Sequence, residues 1–176
     1  ISLNRPKALN ALNKDLTEGL VAAVDKAASD PNARCVVLTS SSDHFMAGGD
    51  LMMFKGWLDE GVEVAQENLL GVVDAVHSTV KKIKTMDKPV IVSVDGAVAG
   101  FGLSLMLACD LAIAAESAAF TLAYIRIGAS TDGGSTHSLT RIVGVRKAME
   151  IAMLGDNFSA AEAKDAGLIN RMVATN

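Results

Sequence analysis

The sequence predicts one α/β domain built on a mostly parallel sheet. Three observations lead there. Segments that read as strands alternate with segments that read as helices from end to end. The strand segments Cys35-Val36-Val37-Leu38, Val90-Ile91-Val92 and Leu111-Ala112-Ile113 are continuous apolar runs, the pattern of parallel strands covered on both faces. The 176 residues are half hydrophobic and contain no repeat, linker or low-complexity stretch, which makes a single core the economical arrangement.

Ile1-Ser2-Leu3 reads as the stub of a strand, ended by Asn4-Arg5-Pro6. Asn13 is placed to cap a helix over 14–28, whose Leu16, Leu20, Ala23, Val24 and Ala27 share one face. Ser29-Asp30-Pro31-Asn32 stops it. A short buried strand follows over 35–39. The polar, glycine-containing run 40–50 is a loop, and Asp50 can cap the helix after it. A longer helix over 62–84 turns Val73, Val76, Val80 and Ile83 inward and ends in Lys81, Lys82 and Lys84, where positive charge suits the helix dipole. A second buried strand occupies 88–94, followed by a glycine-rich turn over 95–102, a helix over 103–108 and a third strand at Leu111–Ala115. Helices over 133–143 and 145–154 come after a loop. Ser159-Ala160-Ala161-Glu162 is a capping box opening a short helix, and 169–173 is a last strand.

Composition narrows the function. Sixteen basic against 20 acidic residues leave a net charge of −4, which argues against nonspecific nucleic-acid binding but allows a small anion held by backbone amides. The two cysteines, Cys35 and Cys109, lie in apolar runs and read as buried; without a ladder of paired cysteines, a reducing, cytoplasmic compartment fits. No apolar stretch reaches the about 18 residues of a membrane span, because Gly100, Gly102 and Asp110 break the longest candidate. The chain opens on Ile1 with no signal-peptide pattern and reads as a piece of something longer.

Two loop-to-helix junctions are candidates for chemistry. They are Phe45-Met46-Ala47-Gly48-Gly49-Asp50-Leu51 and Gly96-Ala97-Val98-Ala99-Gly100-Phe101-Gly102. Each puts glycine after a buried strand and before a helix, whose N-terminus offers unpaired N–H groups and partial positive charge. Two such donors aimed at one oxygen would form an oxyanion hole. Either loop alone is equally a tight turn, and spacing leaves their convergence open. Gly96, Gly100 and Gly102 do not make a dinucleotide fingerprint, no P-loop lysine is present, and Gly102-Leu103-Ser104-Leu105-Met106 lacks the last glycine of a nucleophile elbow. His44, His77 and His137 are scattered, so no metal site is expected.

Together the motifs resemble the crotonase, or enoyl-CoA hydratase/isomerase, superfamily. Those that carry the resemblance are Asn4-Arg5-Pro6 with Asn10-Ala11-Leu12-Asn13, then Phe45-x-Ala47-Gly48-Gly49-Asp50-Leu51. Lys88-Pro89-Val90, Asp95-Gly96-x-x-x-Gly100-x-Gly102 and Cys109-Asp110-Leu111-Ala112-Ile113-Ala114 follow in order. Asp132-Gly133-Gly134-Ser135 and Ala161-Glu162-Ala163-x-x-x-Gly167-Leu168-Ile169 complete the series. The resemblance implies a spiral of ββα units, an acyl-CoA thioester as substrate, no metal and no cofactor beyond the coenzyme A of the substrate. It implies oxyanion donors at the N–H groups of Gly49 and Phe101, with Ala47, Asp50 and Leu51 beside the first. It puts Lys7 and Leu9 at the adenine end of coenzyme A, where Lys7 either meets a phosphate or is simply solvated. It further implies a homotrimer or dimer of trimers, and a C-terminal helical region absent from these residues.

The chain also departs from the family. The two glutamates that hydratases use to activate water correspond to Ser104 and Tyr124, and neither is a carboxylate. Related isomerases carry a single acidic base at the position of Asp132. That aspartate is either a proton shuttle or a cap for the following helix. Tyr124 either hydrogen-bonds the acyl group or walls the pocket. Met52-Met53-Phe54-x-x-Trp57 resembles the acyl-pocket helix, and core packing explains it too. The expected activity is double-bond isomerisation of an enoyl-CoA. The alternatives are enoyl-CoA hydration, acyl-CoA binding without turnover, or a serine protease of the same spiral fold, for which Ser104 lacks partners.

Overall fold

A computed structural model describes residues 1–175. The strands are β1 (Ser2–Leu3), β2 (Val36–Ser40), β3 (Val90–Val94), β4 (Ala97–Ala99), β5 (Leu111–Ala115), β6 (Ala119–Thr121), β7 (Phe158–Ser159) and β8 (Arg171–Val173). The helices are α1 (Lys14–Ser29), α2 (Leu51–Glu60), α3 (Val62–Thr85), α4 (Phe101–Ala108), α5 (Ser135–Leu154) and α6 (Ala160–Asp165). Single 3₁₀ turns occur at Pro6–Ala8 and Tyr124–Ile127.

Five strands form a parallel sheet in the order β1-β2-β3-β5-β8, and β4-β6-β7 form a smaller one. Met46 bridges to Val98 and extends the small sheet by one residue. The row Met46, Val98, Phe120, Phe158 therefore runs straight across it, with the last two rings stacked at 5.5 Å. β3-β4-α4 and β5-β6-α5 are successive ββα turns, each giving one strand to each sheet. This is the spiral of ββα units that the resemblance implies.

Local chemistry explains most boundaries. The Asn13 side chain accepts the Leu16 N–H at 3.0 Å and starts α1, which buries Leu20 and Val24. Lys88 Nζ donates to the carbonyls of Ala27, Ala28 and Asp30 at 2.6–3.0 Å, closing the α1 C-terminus. Lys84 Nζ does the same for Leu107 at the end of α4. Every residue of α4 is buried, as a helix apolar on all sides requires. Asp110 accepts the Val90 N–H at 2.8 Å, so it is a structural turn residue.

Several expectations need correction. The large sheet is not covered on both faces: Val37 is 46% exposed and Leu111 45%, on the face turned away from the core. Cys35 is exposed, whereas Cys109 is buried. β4 lies inside the run expected to be only a turn, and β6 and β7 arise where no strand was expected. α4 begins at Phe101 rather than at 103. The helix expected from 133 begins at Ser135, because Gly133 and Gly134 hold φ of 59° and 70°. The expected break at 144 is present as a kink, Gly144 at φ 76°.

Candidate active site

The first junction is pinned from two sides. The Met46 N–H donates to Ala97 O at 3.0 Å, and the Ala99 N–H returns to Met46 O at 2.8 Å, fixing residues 46–47 against β4. On the other side Ala47 N–H donates to Leu9 O (3.0 Å), Leu12 N–H to Gly48 O (2.7 Å) and Asp50 N–H to Leu12 O (3.0 Å). The Gly49 N–H is left without an acceptor among the described residues.

Asn10 organises this junction from beneath. Fully buried, it shares the two hydrogens of Nδ2 among Ser40 Oγ (2.8 Å), His44 O (2.9 Å) and Phe45 O (3.0 Å), while its Oδ1 accepts the Arg5 N–H at 2.6 Å. The Arg5 guanidinium pairs with Asp50 at 2.7 Å and donates to Ala11 O at 2.8 Å. Asp50 in turn accepts the N–H groups of Met52 (3.0 Å) and Met53 (3.2 Å), capping α2. Burial pushes the Asp50 carboxyl up, but the Arg5 hydrogen bond and charge and the two helix amides outweigh it and hold the group below its usual range.

The second junction turns at Gly100, with φ 51° and ψ −122°, and enters α4 at Phe101. As the first helical residue Phe101 has no intrahelical acceptor, and its N–H meets no other among the described residues. The two junctions touch through their glycines. A Cβ on Gly48, itself at φ 97°, would lie 3.5 Å from Gly100 Cα and 3.6 Å from Phe101 N. Gly49 and Phe101 line one cleft of about 730 Å³. Leu69, Val72, Val73 and Val76 of α3 form one wall, Leu51, Met52 and Phe54 of α2 another, and Tyr124 and Asp132 close it. The Phe101 ring is buried beneath this surface and packs under Gly133, where a Cβ would stand 3.0 Å from it.

The Asp132 carboxylate does not cap α5. Its main-chain carbonyl receives the Ser135 N–H (3.1 Å) and Oγ (2.8 Å), while its Oδ1 accepts the Tyr124 hydroxyl. The Tyr124 oxygen lies 3.2 Å from Ser104 Oγ, so the three side chains form one chain. An ionised carboxylate only accepts, so Tyr124 donates to Asp132, and Ser104, whose Oγ also lies 3.5 Å from Gly100 O, bonds Tyr124 at the shorter 3.2 Å as the donor. Burial raises the Asp132 pKa; the Tyr124 hydrogen bond and the His77 charge partly oppose this. Burial and the Asp132 charge push the Tyr124 phenol up in turn, which keeps it protonated.

Residues 1–176 match the enoyl-CoA hydratase/isomerase family. The chain belongs to that family. It is 36% identical over 177 residues to the mevalonyl-coenzyme A hydratase SIDH of Beauveria bassiana, covering 98% of this chain and 62% of the relative. It is 34% identical over 176 residues to the 1,2-epoxyphenylacetyl-CoA isomerase of Escherichia coli K12, covering 98% and 65%. The crystal structure of an enoyl-CoA hydratase from Bacillus anthracis superposes with a TM-score of 0.90 at 33% identity, covering 98% and 65%. The chain thus spans 62–65% of the length of these curated relatives.

Within this enoyl-CoA hydratase/isomerase fold, Ala47, Gly49, Asp50, Leu51, Phe101, Tyr124 and Asp132 all line the one cleft. Lys7 and Leu9 do not; they are exposed, and Ala8 and Ala11 line the rim in their place. The Leu9 carbonyl is taken by the Ala47 N–H. The supporting roles of Asn10 and Arg5 were missed by sequence reasoning, although their motif was visible. Among the described residues, no three His, Cys, Asp or Glu side chains are grouped to hold a metal ion, and no helix is long and apolar enough to cross a membrane.

Gly133 couples the two halves of the site. A Cβ there would sit 2.8 Å from Ser104 Cβ and 3.0 Å from the Phe101 ring, on a backbone with φ 59°. Gly133→Ala is expected to destabilise the fold by about 1–3 kcal/mol, seen as a lower urea midpoint at unchanged slope. A midpoint equal to the parent's would mean that the loop has slack.

Proposed function

We propose that the cleft isomerises an enoyl-CoA thioester through an enolate. The thioester oxygen accepts the N–H groups of Gly49 and Phe101, and negative charge gathers there as the C2 proton leaves. Asp132 takes that proton from a 3-enoyl thioester and returns it to C4, so the double bond moves into conjugation and no atom is gained or lost. Each amide donor is worth about 2.7–4 kcal/mol in comparable sites.

One observation carries the reading. Among the described residues only two carboxylates line the cleft, and Asp50 is committed to Arg5 and to capping α2, which leaves Asp132 as the available base among them. Water addition needs a second activating group, and the corresponding positions hold the hydroxyls of Ser104 and Tyr124. The hydratase names of two of the relatives favour water addition as the second reading. Lys7, one residue from the cleft-lining Ala8, supports contact with a coenzyme A phosphate at the mouth. Association into trimers belongs to the same reading, supported by Val145, Met149 and Met153 exposed on α5.

The test offers the protein a 3-enoyl-CoA and, separately, a 2-enoyl-CoA while the absorbance of the conjugated thioester is followed. The expected result is a rise with the first and, with the second, at most the partial fall of the reverse isomerisation, with no change of mass. Loss of absorbance from the second with gain of one water, read by mass spectrometry, makes it a hydratase. No change in either, with thermal stabilisation by coenzyme A, makes it a binder.

A further inference from the structure

Tyr124 lies on a 3₁₀ turn that is held from several directions. The turn is entered through Ala123, a non-glycine residue at φ 52°, a conformation that persists only where its surroundings impose it. The Arg126 guanidinium clamps the turn to the end of α5, donating to Gly155 O at 2.6 and 3.1 Å and to Asn157 Oδ1 at 2.9 Å. The phenol therefore starts from a fixed backbone. Its hydroxyl is bound on one side by Ser104, fully buried in α4, and on the other by Asp132 Oδ1. Asp132 Oδ2 has no hydrogen-bond partner among the described residues. One carboxylate oxygen is thus tethered, and the other is unclaimed in a residue that lines the cleft.

We infer that Tyr124 is the positioning residue of Asp132, its hydroxyl fixing the carboxylate so that Oδ2 is the oxygen that exchanges the proton, and that Ser104 sets the direction of the phenol hydrogen. The kinetic part of this inference rests on the proposed isomerisation; the structural part does not. A carboxylate free to rotate would lose alignment with the substrate carbon, and misplacement by about 1 Å costs roughly 100-fold in rate. Tyr124 also contributes to keeping the base ionised. Its hydrogen bond favours the charged form against the burial that raises the Asp132 pKa. The other charge acting on Asp132 is His77 from α3; α4, packed on Gly133, carries none, and Asp50 in the same cleft is held by Arg5.

The experiment uses Tyr124→Phe, which keeps the ring as a wall and removes only the hydroxyl. In the ligand-free protein the Asp132 carboxyl carbon is titrated by ¹³C NMR, its signal assigned by its loss in Asp132→Asn. The expected result is a higher midpoint in Tyr124→Phe. In turnover, kcat should fall roughly 10–100-fold with KM little changed, and the acid limb of the kcat profile should move to higher pH. Ser104→Ala should shift the midpoint in the same direction by less. A second signature needs no Tyr124 variant: a downfield phenol proton in the unmodified protein that moves upfield in Asp132→Asn, where the acceptor is neutral. An unmoved midpoint in Tyr124→Phe, or a phenol proton indifferent to Asp132→Asn, overturns the inference. A shifted midpoint in a protein that does not isomerise leaves the positioning role standing and removes the proposed reaction instead.

Discussion

Asp132→Asn is expected to reduce conjugation of a 3-enoyl-CoA by roughly 10²–10⁴-fold, the range in which a positioned acid–base group contributes. The amide has nearly the shape of the carboxylate and its oxygen still accepts the Tyr124 hydroxyl, so the cleft should keep its form. What it loses is the ability to take a proton from C2. The stability of the variant separates this from unfolding. Burial raises the Asp132 pKa above its ordinary 3.8, so the folded chain holds this proton more tightly than the unfolded one. The contribution to stability is then fully present below the unfolded pKa and is lost as pH rises through the folded pKa. At neutral pH the ionised group weighs against folding, and Asn removes that burden. The melting temperature of Asp132→Asn at pH 7 should therefore not fall. In the parent, kcat should decline on the acid side as the raised pKa is crossed. Full isomerisation by Asp132→Asn would show that the base lies elsewhere.

The features legible in the sequence are those fixed by nearest neighbours along the chain. Asn13, Asp50 and the Ser159–Glu162 box announce helix starts because each cap closes within three residues. The buried runs of β2, β3 and β5 announce themselves by composition. β4, β6 and β7 are two or three residues long, and the row Met46-Val98-Phe120-Phe158 that joins them draws on residues far apart in the chain. No local pattern encodes such a row. Val37 and Leu111 misled because an apolar strand residue reads the same whether or not a helix covers it. At the site, the role of Asp132 was ambiguous because a carboxylate and a main-chain carbonyl cap a helix from the same position; only the geometry shows the carbonyl doing so. The chain from Ser104 through Tyr124 to Asp132 joins a helix, a 3₁₀ turn and a loop, with separations of 20 and 8 residues that match no periodicity.

The proposed oxyanion donor at position 101 can be tested with proline, the one residue that lacks a backbone N–H. Phe101 is the first residue of α4, the position where proline fits a helix without breaking a hydrogen bond, and Gly100 before it has no Cβ to collide with the ring. The side chain needs a separate control, since the buried Phe101 ring supports Gly133. Phe101→Ala removes the ring and keeps the N–H; Phe101→Pro removes both and is of similar size. Each should lose about 3–5 kcal/mol of stability from the emptied space, a loss the two share. Compared below both melting temperatures, kcat for Phe101→Pro should be lower than for Phe101→Ala by roughly 10²–10³-fold, the effect of one oxyanion donor. KM should differ little, because the hydrogen bond strengthens as charge reaches the thioester oxygen in the transition state. Equal kcat values in the pair would mean that the amide at 101 does not hold that oxygen. The contact between Gly48 and Gly100 would then serve packing alone.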